Sequence, residues 1–266
     1  MMANGSRATT GKLALFFFFN AVFAFCAALF LHELGHAVMI KLIYGYFPQI
    51  SINPMAGGYV SYYGAPASST DQLWISSGGM ILGLAAGLLC AGSGVWLWRS
   101  VWAAPVILLG IVSLSVNALM LTAGYFLFSS GDIHRMIAHG FPLGGAVVLG
   151  LAGLLFSGYV LMRALPYFGL DHTSTLPQKY LVLGSGVVLY GGLVLMVPVF
   201  TQDMPELVKK GTYVLTTLGV LAGGLFLVDW GMRHLPGPRQ SAHPVSSAQL
   251  GVSFVLAATA FIWIGF

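Results

Sequence analysis

The sequence predicts an all-α polytopic membrane protein with about six to seven transmembrane helices and a short β-hairpin between the first two. Three observations carry this. Of 266 residues, 58% are hydrophobic and only 7% are Asp, Glu, Lys or Arg, against about 25% charged in an ordinary soluble domain. The apolar residues fall in runs long enough to cross a bilayer core of about 30 Å, which takes about 20 helical residues. Between the first two runs lies a segment rich in Gly, Ser, Pro and Tyr. The composition excludes a soluble cytosolic enzyme and a disordered chain. The net charge of +4 comes from 11 scattered Lys and Arg residues. That is no basic stripe for phosphates, so a nucleic-acid partner is not expected, and the bilayer itself is the expected partner. Cys26 and Cys90 both sit in apolar runs and read as packing residues rather than a disulfide.

Seven runs qualify as spans: Leu13–Tyr44, Leu73–Trp98, Val101–Phe128, Pro142–Met162, Tyr180–Phe200, Thr212–Trp230 and the short last run Gln249–Phe266. The first has Arg7 and Lys12 before it, but its apolar stretch exceeds the 7–15 residues of a signal-peptide core, so it is expected to stay as a mature helix. At roughly 1.5 Å per residue it is also longer than the bilayer is thick, so it tilts or projects. In the segment 45–72, Gln49–Asn53 alternates polar and apolar residues. Gly57–Tyr63 is aromatic and β-branched after a glycine pair. Both read as strands about a turn, lying at the interface or against the helices because open strand edges do not face lipid. Small-residue clusters such as Ser76-Ser77-Gly78-Gly79 and Gly83–Gly87 read as close helix packing. Residues 1–140 form the expected core and 141–266 add helices of unassigned role.

The chemistry concentrates in His32-Glu33-Leu34-Gly35-His36. One of the two glutamates in the chain falls inside this pentapeptide. On a helix, positions i and i+4 share a face, so both imidazoles can reach one metal ion with Glu33 beside them as general base. The competing reading is a pair of interfacial histidines with Glu33 bonded to a base such as Lys41. Ionisable groups at membrane depth are costly and favour the functional reading. A catalytic zinc takes three protein ligands and an open position. Two crossings after the first helix return the chain to the same level, at Gly131-Asp132-Ile133-His134, which nominates Asp132. Asp132 also reads as a helix N-cap, and Asp71, His134 and His139 stay open as alternative ligands. Asp229 falls on the opposite side.

The chain resembles the site-2 protease family of intramembrane zinc metalloproteases. The residues that carry the resemblance are the HELGH pentapeptide in a membrane helix, Gly57-Gly58-Tyr59-Val60 in the hairpin after it, the small-residue entrance Ser77-Gly78-Gly79, and Asn117 followed by an acid. It covers about residues 13–140. The family's Asn, Pro, Asp-Gly order is altered: no proline stands between Asn117 and Asp132, and Gly131 precedes the acid. The resemblance implies one zinc ion held by His32, His36 and Asp132. It also implies hydrolysis of peptide bonds in membrane-embedded substrates by a zinc-bound water that Glu33 activates.

Asn117 is a candidate oxyanion or substrate donor, or else a helix-to-helix hydrogen bond. Gly57, Gly58, Tyr59 and Val60 are a candidate edge for an added substrate strand, or else an interfacial plug. Two readings compete with proteolysis: a non-proteolytic membrane metal-binding or transport protein, and an inactive scaffold. Transport predicts further ionisable groups in the later spans, and Tyr180–Phe200 has none. Lys and Arg counts place the N-terminus inside, whereas the resemblance places the site toward the cytosol.

Overall fold

The computed structural model describes residues 9–53, 57–64, 68–97, 100–127, 131–186, 188, 229–230 and 242–265. The fold is all-α with one hairpin near its start. Helix α1, Thr10–Tyr44, begins where the Thr9 side chain accepts from the Lys12 amide. It ends at Gly45, whose φ of 83° reverses the chain while its N–H bonds Lys41 O. Such left-handed closure favours glycine because no Cβ meets the backbone. The hairpin follows, with β1 Gln49–Asn53 antiparallel to β2 Gly57–Ser61 in the register Ile50 opposite Val60 and Ile52 opposite Gly58. Both strands pack on α1. The expected strand pair is therefore present and lies against the helices.

Helix α2, Ser69–Trp96, opens with a capping box in which Ser68 and Asp71 bond each other's backbone N–H, satisfying donors the helix start leaves free. α3, Ala103–Leu127, packs against α1 and α2. A short helix α4, Asp132–Ala138, follows; the sequence reading did not anticipate it. α5, Leu143–Ala164, lies along α3 and runs into a 3-10 turn, Leu165–Phe168. Residues 176–186 are helical, and a last helix, Ser247–Gly265, packs along α1 and touches β1. Four of these helices are long and apolar enough to cross a membrane: α1, α2, α3 and Leu143–Phe168. Where the last span was expected, the Ser247–Gly265 helix is present, an apolar helix shorter than the four that qualify. The expected spans Tyr180–Phe200 and Thr212–Trp230 lie largely outside the described residues.

Exposed tryptophans bracket the apolar length of α2. Trp74 is 50% and Trp96 88% exposed, and 22 residues of helix between them span about 33 Å. That matches the hydrocarbon thickness of about 30 Å with Trp at each boundary. The core divides by depth. At the Thr10 end, Leu13, Phe16 and Phe17 meet Ile107, Leu108, Phe168 and Leu183, with Phe17 edge-on to Phe168 at 5.1 Å. At the Tyr44 end, Met80, Leu121, Ile133, Met136 and Ala146 cluster, which seats α4 between α2 and α3.

Beside the Leu13 cluster, Asp171 binds its own loop. Its carboxylate accepts from the amides of Thr173, Ser174 and Ala242 and from the Thr173 hydroxyl. Burial alone would raise its pKa, but the hydrogen bonds from Thr173, Ala242 and Ser174 outweigh it and push the value down to about 2. The ionised form is the one that folding favours, so this stabilisation is complete above about pH 4, the ordinary carboxylate value. It is lost as pH falls through about 2. Asp171→Ala is expected to cost about 1–3 kcal/mol. Thermal unfolding in detergent should show the lowered midpoint near neutrality, with the two proteins converging at acid pH. Nearby, the buried Lys179 Nζ pairs with Asp229 Oδ1 at 2.6 Å.

Candidate metal centre

His32 and His36 project from one face of α1, 22 and 26 residues after its start. Asp132 is the first residue of α4. Its position is fixed because Ile133 and Met136, one turn apart, are buried against Met80 and Leu121. The helix N-cap is Gly131, at φ 125°, and no side chain caps the helix. The capping alternative for Asp132 is therefore not what the fold uses. Its carboxylate turns instead to the histidines: Oδ2 lies 3.1 Å from His32 Nε2 and 3.2 Å from His36 Nε2. The two Nε2 atoms are 3.2 Å apart. Among the described residues, this is the one group of three His, Cys, Asp or Glu whose ligand atoms converge.

The outer hydrogen bonds decide which nitrogen of each ring carries the proton. His36 Nδ1 faces Ile75 O at 2.6 Å, so that nitrogen donates. Asn117 Nδ2 donates to Ser113 O at 2.8 Å, which orients the amide and leaves Oδ1 as the acceptor for His32 Nδ1 at 2.9 Å. In neutral rings both Nε2 atoms then present bare lone pairs. Two lone pairs and a carboxylate oxygen meeting at 3.1–3.2 Å repel one another unless a proton or a metal ion sits among them. The spacing fits a metal ion. A tetrahedral ion with bonds of about 2.0–2.1 Å has ligand–ligand edges of about 3.3 Å. Three such atoms occupy one face and leave the fourth position open. Burial works against charge on Asp132, but the two imidazoles outweigh it and hold its carboxyl below the usual carboxylate range.

Glycines permit the approach. A Cβ on Gly79 would stand 2.6 Å from His36 Nε2 and 2.7 Å from His32 Nε2, so α2 passes the ligands only as bare backbone. Gly78 meets Gly35 at the same crossing, where a Cβ on Gly78 would lie 2.6 Å from Gly35 O. Glu33 is 5% exposed and lies under the hairpin, where a Cβ on Gly58 would come within 2.6 Å of its Oε1. Of the candidate strand residues, Gly58 is thus the one set against Glu33, while Tyr59 is exposed.

The remaining candidates lie elsewhere. Lys41 bonds Gly45 O rather than Glu33. Asp71 belongs to the capping box, and His139 Nδ1 contacts Ser69 Oγ at 3.1 Å. His134 stacks on Tyr125 at 4.6 Å, with its buried Nδ1 unbonded. Asn117 has both amide atoms engaged, by His32 and by Ser113, and stands behind a candidate ligand. The sequence reading missed the Ile75 carbonyl and the Ser113 carbonyl, since neither side chain betrays it. It did pick out Gly78-Gly79, but for packing alone. Asn117→Ala is expected to weaken metal binding about 10–100-fold by freeing His32 Nδ1; competition with a chromogenic chelator would measure it. No family model, no characterised protein and no solved structure matches this chain, so what the centre can do is read from its own residues.

Proposed function

We propose that this chain is a multi-pass integral membrane zinc metallopeptidase of the site-2 protease type, hydrolysing peptide bonds of membrane-embedded substrates. The observation that carries the reading is the convergence of His32 Nε2, His36 Nε2 and Asp132 Oδ2 at 3.1–3.2 Å, with each ring's other nitrogen already bonded. Nitrogen, nitrogen and carboxylate oxygen around an open fourth position is the donor set of a catalytic zinc. When bound, the ion supplies Lewis-acid chemistry, polarising a carbonyl and acidifying a water.

The protein's own groups do the rest. His32 and His36 would hold the ion, and the Asn117 amide and the Ile75 carbonyl keep both rings turned toward its position. Asp132 contributes the negative charge. Glu33, next to His32 on α1, is the general base that takes a proton from water and returns it to the leaving amine. The hairpin roofs Glu33 through Gly58 and limits access from that side. His36 bonds the carbonyl next to Trp74, so the centre lies within a few residues of the α2 boundary. The reacting bond is therefore near one face of the bilayer.

The test is metal counting on detergent-purified protein together with cleavage of a single-span membrane protein in proteoliposomes. One zinc per chain, activity lost to a chelator and activity restored by zinc are the expected results. Absence of bound metal, or metal without cleavage across a panel of single-span substrates, overturns the peptidase reading. Among the described residues, the ionisable groups of the later part of the chain give the transport reading no support of its own. Asp171 and the Lys179–Asp229 pair lie beside the Leu13 cluster and are bonded to the protein's own groups.

A further inference from the structure

Strand pairing in the hairpin runs from Gln49 opposite Ser61 to Asn53 opposite Gly57. One rung further out, the same register sets Phe47 opposite Tyr63, and an antiparallel rung satisfies the main-chain N–H and C=O of the residues it joins. Pro48 stands between, with no N–H to give. The ladder stops there, and a side chain takes over the rung. The Tyr46 hydroxyl accepts from the Tyr63 N–H at 2.7 Å and donates to the Tyr63 carbonyl oxygen. One phenol thus holds both main-chain groups of Tyr63. Tyr62 is held as well: its ring stacks on Tyr44 with centroids 5.8 Å apart, and its hydroxyl accepts from Gln72 Nε2 at 3.2 Å. The base of the hairpin is therefore tied to the end of α1 and the start of α2.

That base bears on what the strand covers. Alternation along the strands puts Ile50, Ile52, Gly58 and Val60 on one face of the ribbon and Tyr59 on the other. Gly58, on the first face, lies against the Glu33 carboxylate. Ile52, on the same face, packs on the Val22 and Cys26 cluster. Glu33 is 5% exposed, whereas the side chains of His32 and Asp132 are 16% and 22% exposed. The ligands are partly open to solvent while the base is shut beneath the strand. A base that takes a proton from water and returns it to a leaving amine has to meet both. Two strands by themselves hold together only marginally, so a closure at the base weighs on whether the ribbon stays down over Glu33.

We propose that Tyr46 is a positioning residue: through the Tyr63 main chain, its hydroxyl keeps β2 seated over Glu33 and so sets how readily an extended peptide reaches that carboxylate. The proposal rests on the peptidase reading. Tyr46 acts on the strand and not on the ligands, because its hydroxyl is taken up by Tyr63. Loosening the base raises the fraction of molecules in which Glu33 is uncovered. The apparent affinity for a peptide that needs the uncovered form rises with that fraction.

The experiment compares the full-length parent with Tyr46→Phe, which keeps the ring and removes only the hydroxyl. Hydrogen exchange in detergent reads the amides of residues 57–63. Co2+-loaded protein is titrated with a peptidyl hydroxamate and followed by the cobalt absorption bands, and cleavage of a single-span substrate in proteoliposomes runs in parallel. Tyr46→Phe is expected to exchange the 57–63 amides about tenfold faster and to keep the parental cobalt spectrum. It should also bind the hydroxamate several-fold more tightly and lower KM with kcat kept. A structural role alone would weaken binding or leave it as it was. Unchanged exchange over 57–63, faster exchange with hydroxamate affinity and KM unchanged or weakened, or loss of cobalt from the variant overturns the role. A parent that takes up neither cobalt nor hydroxamate brings down the peptidase reading and this role with it. A parent that binds and cleaves, matched by Tyr46→Phe in every readout, brings down this role alone.

Discussion

Glu33→Gln is expected to lower peptide cleavage by roughly 10³-fold while one metal ion per chain is retained. Glutamine keeps the length and most of the volume of glutamate, and the side chain lies buried beneath Gly58, so the hairpin and α1 have no reason to move. What is lost is a group able to accept a proton. The three ligand atoms belong to other residues and keep their outer bonds to Asn117 and Ile75. Cleavage of a single-span substrate in proteoliposomes, with elemental analysis of the same preparation, measures both halves. Full activity in Glu33→Gln would remove Glu33 from the role of base. Loss of metal along with activity would mean that the carboxylate shapes the centre instead.

His36→Ala is expected to reduce zinc affinity by more than about 100-fold, beyond the loss typical of an outer partner. His36 bridges two helices: Nδ1 bonds Ile75 O on α2, and Nε2 lies against both His32 and Asp132. Its removal takes away one of three ligands and leaves His32 and Asp132, too few to hold a catalytic ion tightly. It also frees a carbonyl at a glycine crossing where α1 and α2 touch through Gly35 and Gly78. Metal content after dialysis is the direct measure, with circular dichroism to confirm that the helices persist. Full zinc occupancy in His36→Ala would show that the ion, if present, is held elsewhere. Asp132→Ala should behave alike, since Ile133 and Met136 rather than the carboxylate anchor α4.

Much of this was legible from local pattern. The pentapeptide at 32–36 places two imidazoles on one helical face wherever that helix goes. The glycine pair before Tyr59 marks a strand start, and the structure has β2 beginning at Gly57. Asp132 could be placed by counting crossings, because apolar runs of fixed length return the chain to a known side of a bilayer. The short α4 was not legible. Seven residues anchored by Ile133 and Met136 give too weak a periodicity to separate from a loop. Nor was the engagement of Asn117: an asparagine in an apolar run bonds whichever helix comes near, and that depends on how α1, α2 and α3 cross.

The sequence by itself determined where the long helices α1, α2, α3 and α5 run, that they are long enough for a bilayer, and that His32 and His36 share a face with Glu33 adjacent. These follow from backbone geometry and hydrophobic transfer, both of which act locally. Only the tertiary structure decided that Asp132 Oδ2 meets both rings at 3.1–3.2 Å and that Ile75 and Asn117 hold the outer nitrogens. It alone put Gly58 over Glu33 and set the Tyr46 hydroxyl on the Tyr63 main chain. These are contacts between segments up to 100 residues apart. They depend on glycine-to-glycine helix crossings that close to van der Waals distance, and no periodicity within a single segment encodes which crossings form.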